Sequence, residues 1–138
     1  MESMEKQVAQ VSAVIGKAKY QTTVTSGKHS VLVDEPEHLE GADTGMNPFG
    51  LLLASLGSCT VITLRMYVDR KMWVVEEIKA DLEIHAIDGG NLIKIRLHFK
   101  GELTAEQIKR LHQIADACPI HKLLTGNIQI DTTVSTQA

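Results

Sequence analysis

Apolar and polar positions divide the chain into segments of different period. VAQVSAVIG at 8–16 and AKYQTTVTS at 18–26 alternate or cluster β-forming residues on either side of a short break at Gly16-Lys17. Ser26-Gly27-Lys28 is a turn signal, and HSVLVD at 29–34 follows it. Three strands in an antiparallel meander are predicted. The next stretch, EPEHLEGADTGMNP at 35–48, is acidic and rich in turn formers. It ends on a helix-start signal, because Asn47 can cap free N–H groups and Pro48 suits a first helical turn. A long helix from Pro48 to Lys71 is predicted.

Two strands come next, WVVEEIKADLEIHAI at 73–87 and NLIKIRLHFKG at 91–101, joined by Asp88-Gly89-Gly90, a strong hairpin turn. In the second, Leu92, Lys94, Arg96, His98 and Lys100 alternate with Ile93, Ile95, Leu97 and Phe99, so one face is wet. TAEQIKRLHQIADA at 104–117 opens like a capping box with Gln107 in the third position. Its Ile108, Leu111, Ile114 and Ala115 share one helical face. Pro119 interrupts this helix and takes Cys118 out of helical geometry, so Cys118 should cap a short helix running to Leu124. NIQIDTTV at 127–134 reads as a last strand. Without repeats, low complexity or a linker, residues 1–138 are expected to form a single domain.

The long helix alters this picture. From Leu51 to Leu64 it carries no charge, and its first four turns are apolar or small on every face. Such a helix must be surrounded. Ala54, Ser55, Gly57, Ser58 and Thr60 would let another backbone approach. Gly57 costs about 1 kcal/mol against Ala in a helix, which close packing would offset. One chain of 138 residues with 4% aromatics has little with which to cover all sides. Burial in a dimer answers that.

Composition excludes several classes. A net charge of −3, with no basic stripe interleaved with aromatics, argues against nucleic acid and anionic membrane as partners. The run from Leu51 to Leu64 is shorter than the roughly 20 apolar residues of a membrane span. MESMEKQVAQVSAVIG has acids near Met1 and no apolar centre like that of a signal peptide. A soluble, cytoplasmic protein is expected.

Two cysteines are present, Cys59 and Cys118, not as a C-x-x-C pair and too few to replace a core. Cys118, at a helix start with His121 and Lys122 one turn on, sits where a thiolate is favoured; a simple cap beside a proline kink is the competing reading. Cys59, mid-helix among apolar neighbours, should have a raised pKa, and by local sequence it reads as core filler unless another segment brings it a cation. Cys118 and His121 lack the second pair that a zinc site needs, so no metal is expected. The six histidines are scattered, Asp34, Glu35 and Glu37 read as a solvated loop, and LGSCT is not a serine elbow.

NPFGLLLASLGSCTVITLRMYVDRK, followed much later by IADACPIHKLL, resembles the osmotically inducible protein C and organic hydroperoxide resistance (OsmC/Ohr) family, in its OsmC-like branch. The likeness runs from about His29 to Val134. It implies an α+β fold built as an intertwined homodimer, with antiparallel sheets wrapped around two long central helices and sites at the subunit interface. It also implies that Cys59 attacks the peroxide O–O bond and becomes a sulfenic acid. Cys118 would then resolve it as a disulfide, and a dithiol reductant such as a lipoylated protein would restore both thiols. No cofactor is implied. An apolar pocket would favour organic hydroperoxides. The chain departs from the family at Phe49-Gly50, where a helix-start Glu would stand, and in having no arginine before Arg65. Lys28, His29, Asp34 and Glu35 are the residues available to substitute.

The expected function is a thiol-dependent, peroxidase-like redox protein using Cys59 and Cys118. A dimeric binding protein for an apolar small molecule is the alternative, favoured by the missing Arg and Glu. A cysteine hydrolase ranks last, since no oxyanion hole is identifiable.

Overall fold

The computed structural model describes residues 5–137. Elements follow in the order β1 (Ser12–Ile15), β2 (Thr22–Ser26), β3 (His29–Val33), a 3-10 turn (Glu37–Leu39), α1 (Pro48–Lys71), β4 (Val75–Ile87), β5 (Gly90–Gly101), α2 (Ala105–Ala115) and α3 (Pro119–Leu124). This is an α+β fold with two antiparallel sheets and one long helix. Two compact units divide at Leu52/Leu53, inside α1.

The first unit is the meander β1-β2-β3 with its following loop. β1 pairs antiparallel with β2 from Ser12↔Thr25 to Ile15↔Thr22, and β2 with β3 from Ser26↔His29 to Thr22↔Val33. Strand β1 is shorter than the 8–16 expected, because only its last residues meet partners on β2. Ala13, Thr22, Val24 and Val33 line an open apolar concavity with Pro48, Leu51 and Leu52. The loop after β3 is tied back by a parallel bridge between Val33 and Met46 and by Asp34, whose N–H donates to Met46 O at 3.1 Å. Asn47 caps α1 as anticipated, its Oδ1 accepting from Gly50 N at 2.8 Å.

The second unit holds the main core: Leu64 and Val68 of α1, Val75 of β4, and Leu111 and Ala115 of α2. Tyr67, Trp73, Ile78, Leu97, Phe99, Leu103 and Ile114 pack around them. β4 and β5 form one long hairpin, in register from Ile87↔Gly90, with a bulge near Val75 and Glu77. Its turn needs Gly89, which sits at φ 81°. Helix α1 ends where Met72 takes the left-handed conformation, φ 59°, and Trp73 N donates to Val68 O at 3.0 Å. That closure delays β4 from 73 to Val75. The capping box of α2 is present: Thr104 Oγ1 accepts from Gln107 N at 3.1 Å, and Gln107 Oε1 from Thr104 N at 2.9 Å.

One expectation is corrected. Residues 127–137 carry neither helix nor strand, so the last strand at 127–134 is absent from the single chain: its alternating pattern persists, but no second strand pairs with it. Ile108 is half exposed, because the face it shares with Leu111 borders a groove of about 400 Å³ with Ile95, Leu97 and His98. Helix α1 is also long and apolar enough, by length and composition, to cross a membrane, since its uncharged stretch extends upstream of Leu51 and the helix continues to Lys71. Its buried positions are Leu56, Gly57, Thr60, Leu64 and Val68.

Candidate functional site

Cys59 lies near the middle of α1 and Cys118 at the N-cap of α3, 59 positions apart in sequence. The fold brings them together. The two thiols are close but not bonded, near enough for each to influence the other's acidity. On α1, Gly57 lets β4 approach the helix closely: a Cβ there would stand 2.8 Å from Leu82 Cδ1. Pro119 then breaks the α2–α3 path, holding Cys118 at φ −56°, ψ 131° with its N–H on Ala115 O at 3.3 Å.

The sulfurs differ in access. Cys118 is fully buried, at 0% exposure, whereas Cys59 is half-buried. Local sequence suggested the reverse for Cys59, a core position. Its face of α1, with Ser55, Ile62 and Met66 at spacings of four, three and four, is uncovered.

Electrostatics separate them too. Burial pushes the Cys59 thiol up, and the hydrogen bond and charge of Cys118 act in the same direction, against weaker help from Ile120 N–H and the Thr63 hydroxyl. Burial would also raise Cys118, but hydrogen bonds from Cys59, His121 N–H, the Thr60 hydroxyl and Ile120 N–H together outweigh it and hold Cys118 below the usual thiol range. The sulfur makes no formal capping bond on α3, so these N–H groups act as looser donors. Both directions match the sequence expectation. The cause at Cys118 is hydrogen bonding, not the charges of His121 and Lys122 that the sequence suggested. The monoanionic pair thus keeps its proton on Cys59 and its charge on Cys118.

Thr60 and Thr63 are the functional candidates that sequence reading missed. Their signal was partly present: Thr63 stands four places after Cys59, beside it on the next helical turn, whereas Thr60 follows it directly and faces elsewhere. Asp34, considered as a substitute for the missing Glu, is occupied. Buried at 1% exposure, its carboxylate accepts from Tyr20 N at 3.2 Å, Glu35 N at 2.7 Å, Thr44 N at 3.1 Å and Thr44 Oγ1 at 2.6 Å. Among the described residues no three His, Cys, Asp or Glu side chains are grouped to hold a metal ion.

A long helix, a three-stranded meander, a long hairpin and a non-bonded pair of cysteines from separate motifs define an α+β dithiol protein. The family model for OsmC-like protein matches residues 41–133, and the chain belongs to the OsmC family. It is similar to the crystal structure of an OsmC-like protein from Mycoplasma pneumoniae (TM-score 0.73, 22% identity, 89% of this chain and 90% of that one). It is also similar to an organic hydroperoxide resistance protein from Elizabethkingia anophelis (TM-score 0.62, 25% identity, 94% of each chain). In sequence it is 22% identical over 124 residues to the uncharacterized protein YmaD of Bacillus subtilis strain 168, covering 82% of this chain and 83% of that protein.

Proposed function

We propose that this protein is a dimeric, thiol-dependent reductase of organic hydroperoxides. The observation that carries the reading is the meeting of Cys59 and Cys118 as free thiols of unequal access and unequal acidity. The family, with relatives described as organic hydroperoxide resistance proteins, supports it.

Access assigns the roles. Peroxide reaches Cys59, not the enclosed Cys118. Transfer of the shared proton to Cys118 leaves Cys59 as the thiolate nucleophile. Attack on the peroxide forms an S–O bond and breaks O–O; sulfur is oxidised by two electrons and the alkoxide leaves as alcohol after taking one proton. Cys118, now thiolate, attacks the Cys59 sulfenic sulfur. S–S forms, S–O breaks, and hydroxide leaves as water with the second proton. Two thiols and one hydroperoxide become a disulfide, an alcohol and water. A dithiol reductant, such as a lipoylated protein, restores the pair and is itself oxidised to a disulfide.

The dimer rests on α1. Ile62 at 52% exposure and Met66 at 60% continue the face that carries Cys59, an apolar stripe that a second copy would cover. Cys59 would then lie at the foot of an interface cleft. Residues 127–134, with Ile128, Ile130 and Val134 exposed, supply an unpaired alternating segment for the same assembly. Both units of the chain act in it as one domain, and the reading is of a cytoplasmic protein.

Titration with cumene hydroperoxide tests the chemistry. One equivalent should remove both thiols of the wild type; in Cys118→Ala, Cys59 should stop at a sulfenic acid that dimedone captures, and Cys59→Ser should be inert. Survival of both wild-type thiols after stoichiometric peroxide ends the proposal. The binding alternative keeps one specific support, the Phe49-Gly50 start of α1, with Phe49 exposed where the resemblance implies a Glu. An apolar ligand retained in the native mass spectrum of peroxide-inert protein would establish it.

A further inference from the structure

We infer that Tyr67, with the guanidinium of Arg110 on its hydroxyl and the ammonium of Lys71 over its ring, forms a binding site for a dianionic oxyanion, a phosphate group. No thiol takes part, so the site stands independently of the peroxide chemistry.

Two helices place these groups. Tyr67 and Lys71 stand one turn apart at the end of α1, and Arg110 lies in the middle of α2. The Tyr67 ring is half-buried at the rim of the core. Trp73, just past the end of α1, meets it edge-on, with ring centroids 5.5 Å apart and planes at 78°. Arg110 Nε donates to Tyr67 Oη at 3.1 Å, and Arg110 Nη1 donates to Gln113 Oε1 at 3.1 Å. The guanidinium carbon is 5.8 Å from the centroid of the Tyr67 ring, and Lys71 Nζ is 5.7 Å from it. Both cations are thus within cation–π range of one phenol.

An aromatic ring holds these cations, and no acid does. Among the described residues the ion pairs engage Arg65, Lys79, His85, Arg96 and Lys100, and neither Arg110 nor Lys71 enters one. Glu106, one turn before Arg110 on α2, is spaced to pair with it and does not. Asp69 is taken by Arg65 at 3.4 Å. The helix dipole accounts for Lys71 in the last turn of α1, but not for Arg110 in mid-helix. In a chain with 17 acidic residues against 14 basic ones, two uncompensated cations on one ring are a local excess of positive charge. The donors suit an oxyanion. Tyr67 Oη accepts from Arg110, so its own proton is left for an outside acceptor. The two bonds of Arg110 use Nε and one N–H of Nη1, and the N–H groups of Nη2 remain. Tyr67 and Gln113 already fix the guanidinium, so little ordering is left for a ligand to impose. Two positive charges favour a dianion over a carboxylate, and phosphate offers several acceptor oxygens for charge-assisted bonds.

Trp73 is the chain's one tryptophan and packs on the Tyr67 ring, so its emission reports on this site. Inorganic phosphate and O-phosphoserine are titrated into the full chain at about pH 8, where a phosphate ester is dianionic. Sodium chloride holds the ionic strength constant, and acetate serves as the monoanion. A saturable change in emission is expected with at least one phosphate compound, at a dissociation constant of about 1 mM or below. Acetate should bind about tenfold more weakly. Arg110→Gln should weaken phosphate binding about tenfold, the worth of a hydrogen bond to a charged group, and Lys71→Gln about threefold. Saturation by both compounds, or by phosphoserine alone, assigns a phosphate ester as ligand; saturation by inorganic phosphate alone assigns the free ion. Absence of saturation with both overturns the inference, and so does equal affinity for acetate or unchanged affinity in Arg110→Gln. Should Arg110→Gln fail to fold, Tyr67→Phe keeps the ring and removes the hydroxyl donor, and unchanged affinity there overturns the inference as well.

Discussion

Asp34 shows how one side chain can organise a segment. With four donors on its carboxylate, from Tyr20, Glu35 and twice from Thr44, it joins the end of β3 to the loop that leads into α1. The Thr44 hydroxyl bond lowers its pKa most; burial opposes, and the backbone donors of Thr44, Glu35 and Tyr20 add to the lowering. Its native pKa therefore lies well below the usual carboxylate value of about 4. Between those two values the unfolded chain binds the extra proton, so this stabilisation is complete above the unfolded value and is lost as pH falls toward the native one. Asp34→Asn should lower the urea midpoint at pH 7 and flatten its decline under acid. An undiminished acid slope in the variant would remove Asp34 as its source. The sequence offered Asp34 as part of an acidic loop or as a substitute for the missing Glu, not as the hub of this segment, since Thr44, ten residues away, is brought to it by folding. The two thiols illustrate the same division. Helix position was enough to order their acidities, but the contact between Cys59 and Cys118 is non-local, and sequence alone reached it only through the family resemblance.

Among the elements, those built from local signals were the most legible. Asn47-Pro48 marks the start of α1, Gly89 the β4–β5 turn, and Thr104 with Gln107 the start of α2, each by chemistry contained within four residues. Element ends were harder to read where closure uses an unfavoured residue. Met72 sits at φ 59°, a conformation that glycine adopts freely, and its side chain is exposed. Nothing in RKMW announces this, so the strand was expected two residues early. Met72→Gly should raise stability by about 0.5–1 kcal/mol, read as a higher urea midpoint with unchanged slope, because strain is relieved and no packing is lost. A midpoint at or below that of wild type would show that the left-handed residue is not strained. The segment at 127–134 failed for a different reason: alternation specifies a strand's faces, but a strand also requires a neighbour to accept its hydrogen bonds.

At the scale of the molecule, the uncharged helix was legible as an element in need of company, and its exposed stripe has that form. Ile62→Glu places a charge in the proposed interface and should convert a dimer into monomers at micromolar concentration, as followed by sedimentation velocity. A wild-type protein that sediments as a monomer at those concentrations would remove the dimer from the reading. Membership of the family settles the fold class. One feature would order the whole of the proposed cycle, the enclosure of Cys118 beside a half-buried Cys59. In the proposed cycle oxidant and reductant would then use the same sulfur, entering by one door at different times. The reductant's thiolate would attack Cys59 of the disulfide and expel Cys118, the more acidic and so the better leaving group. Neither reactant could occupy the protein while the other is there, and turnover would become a strict alternation of hands at a single turnstile.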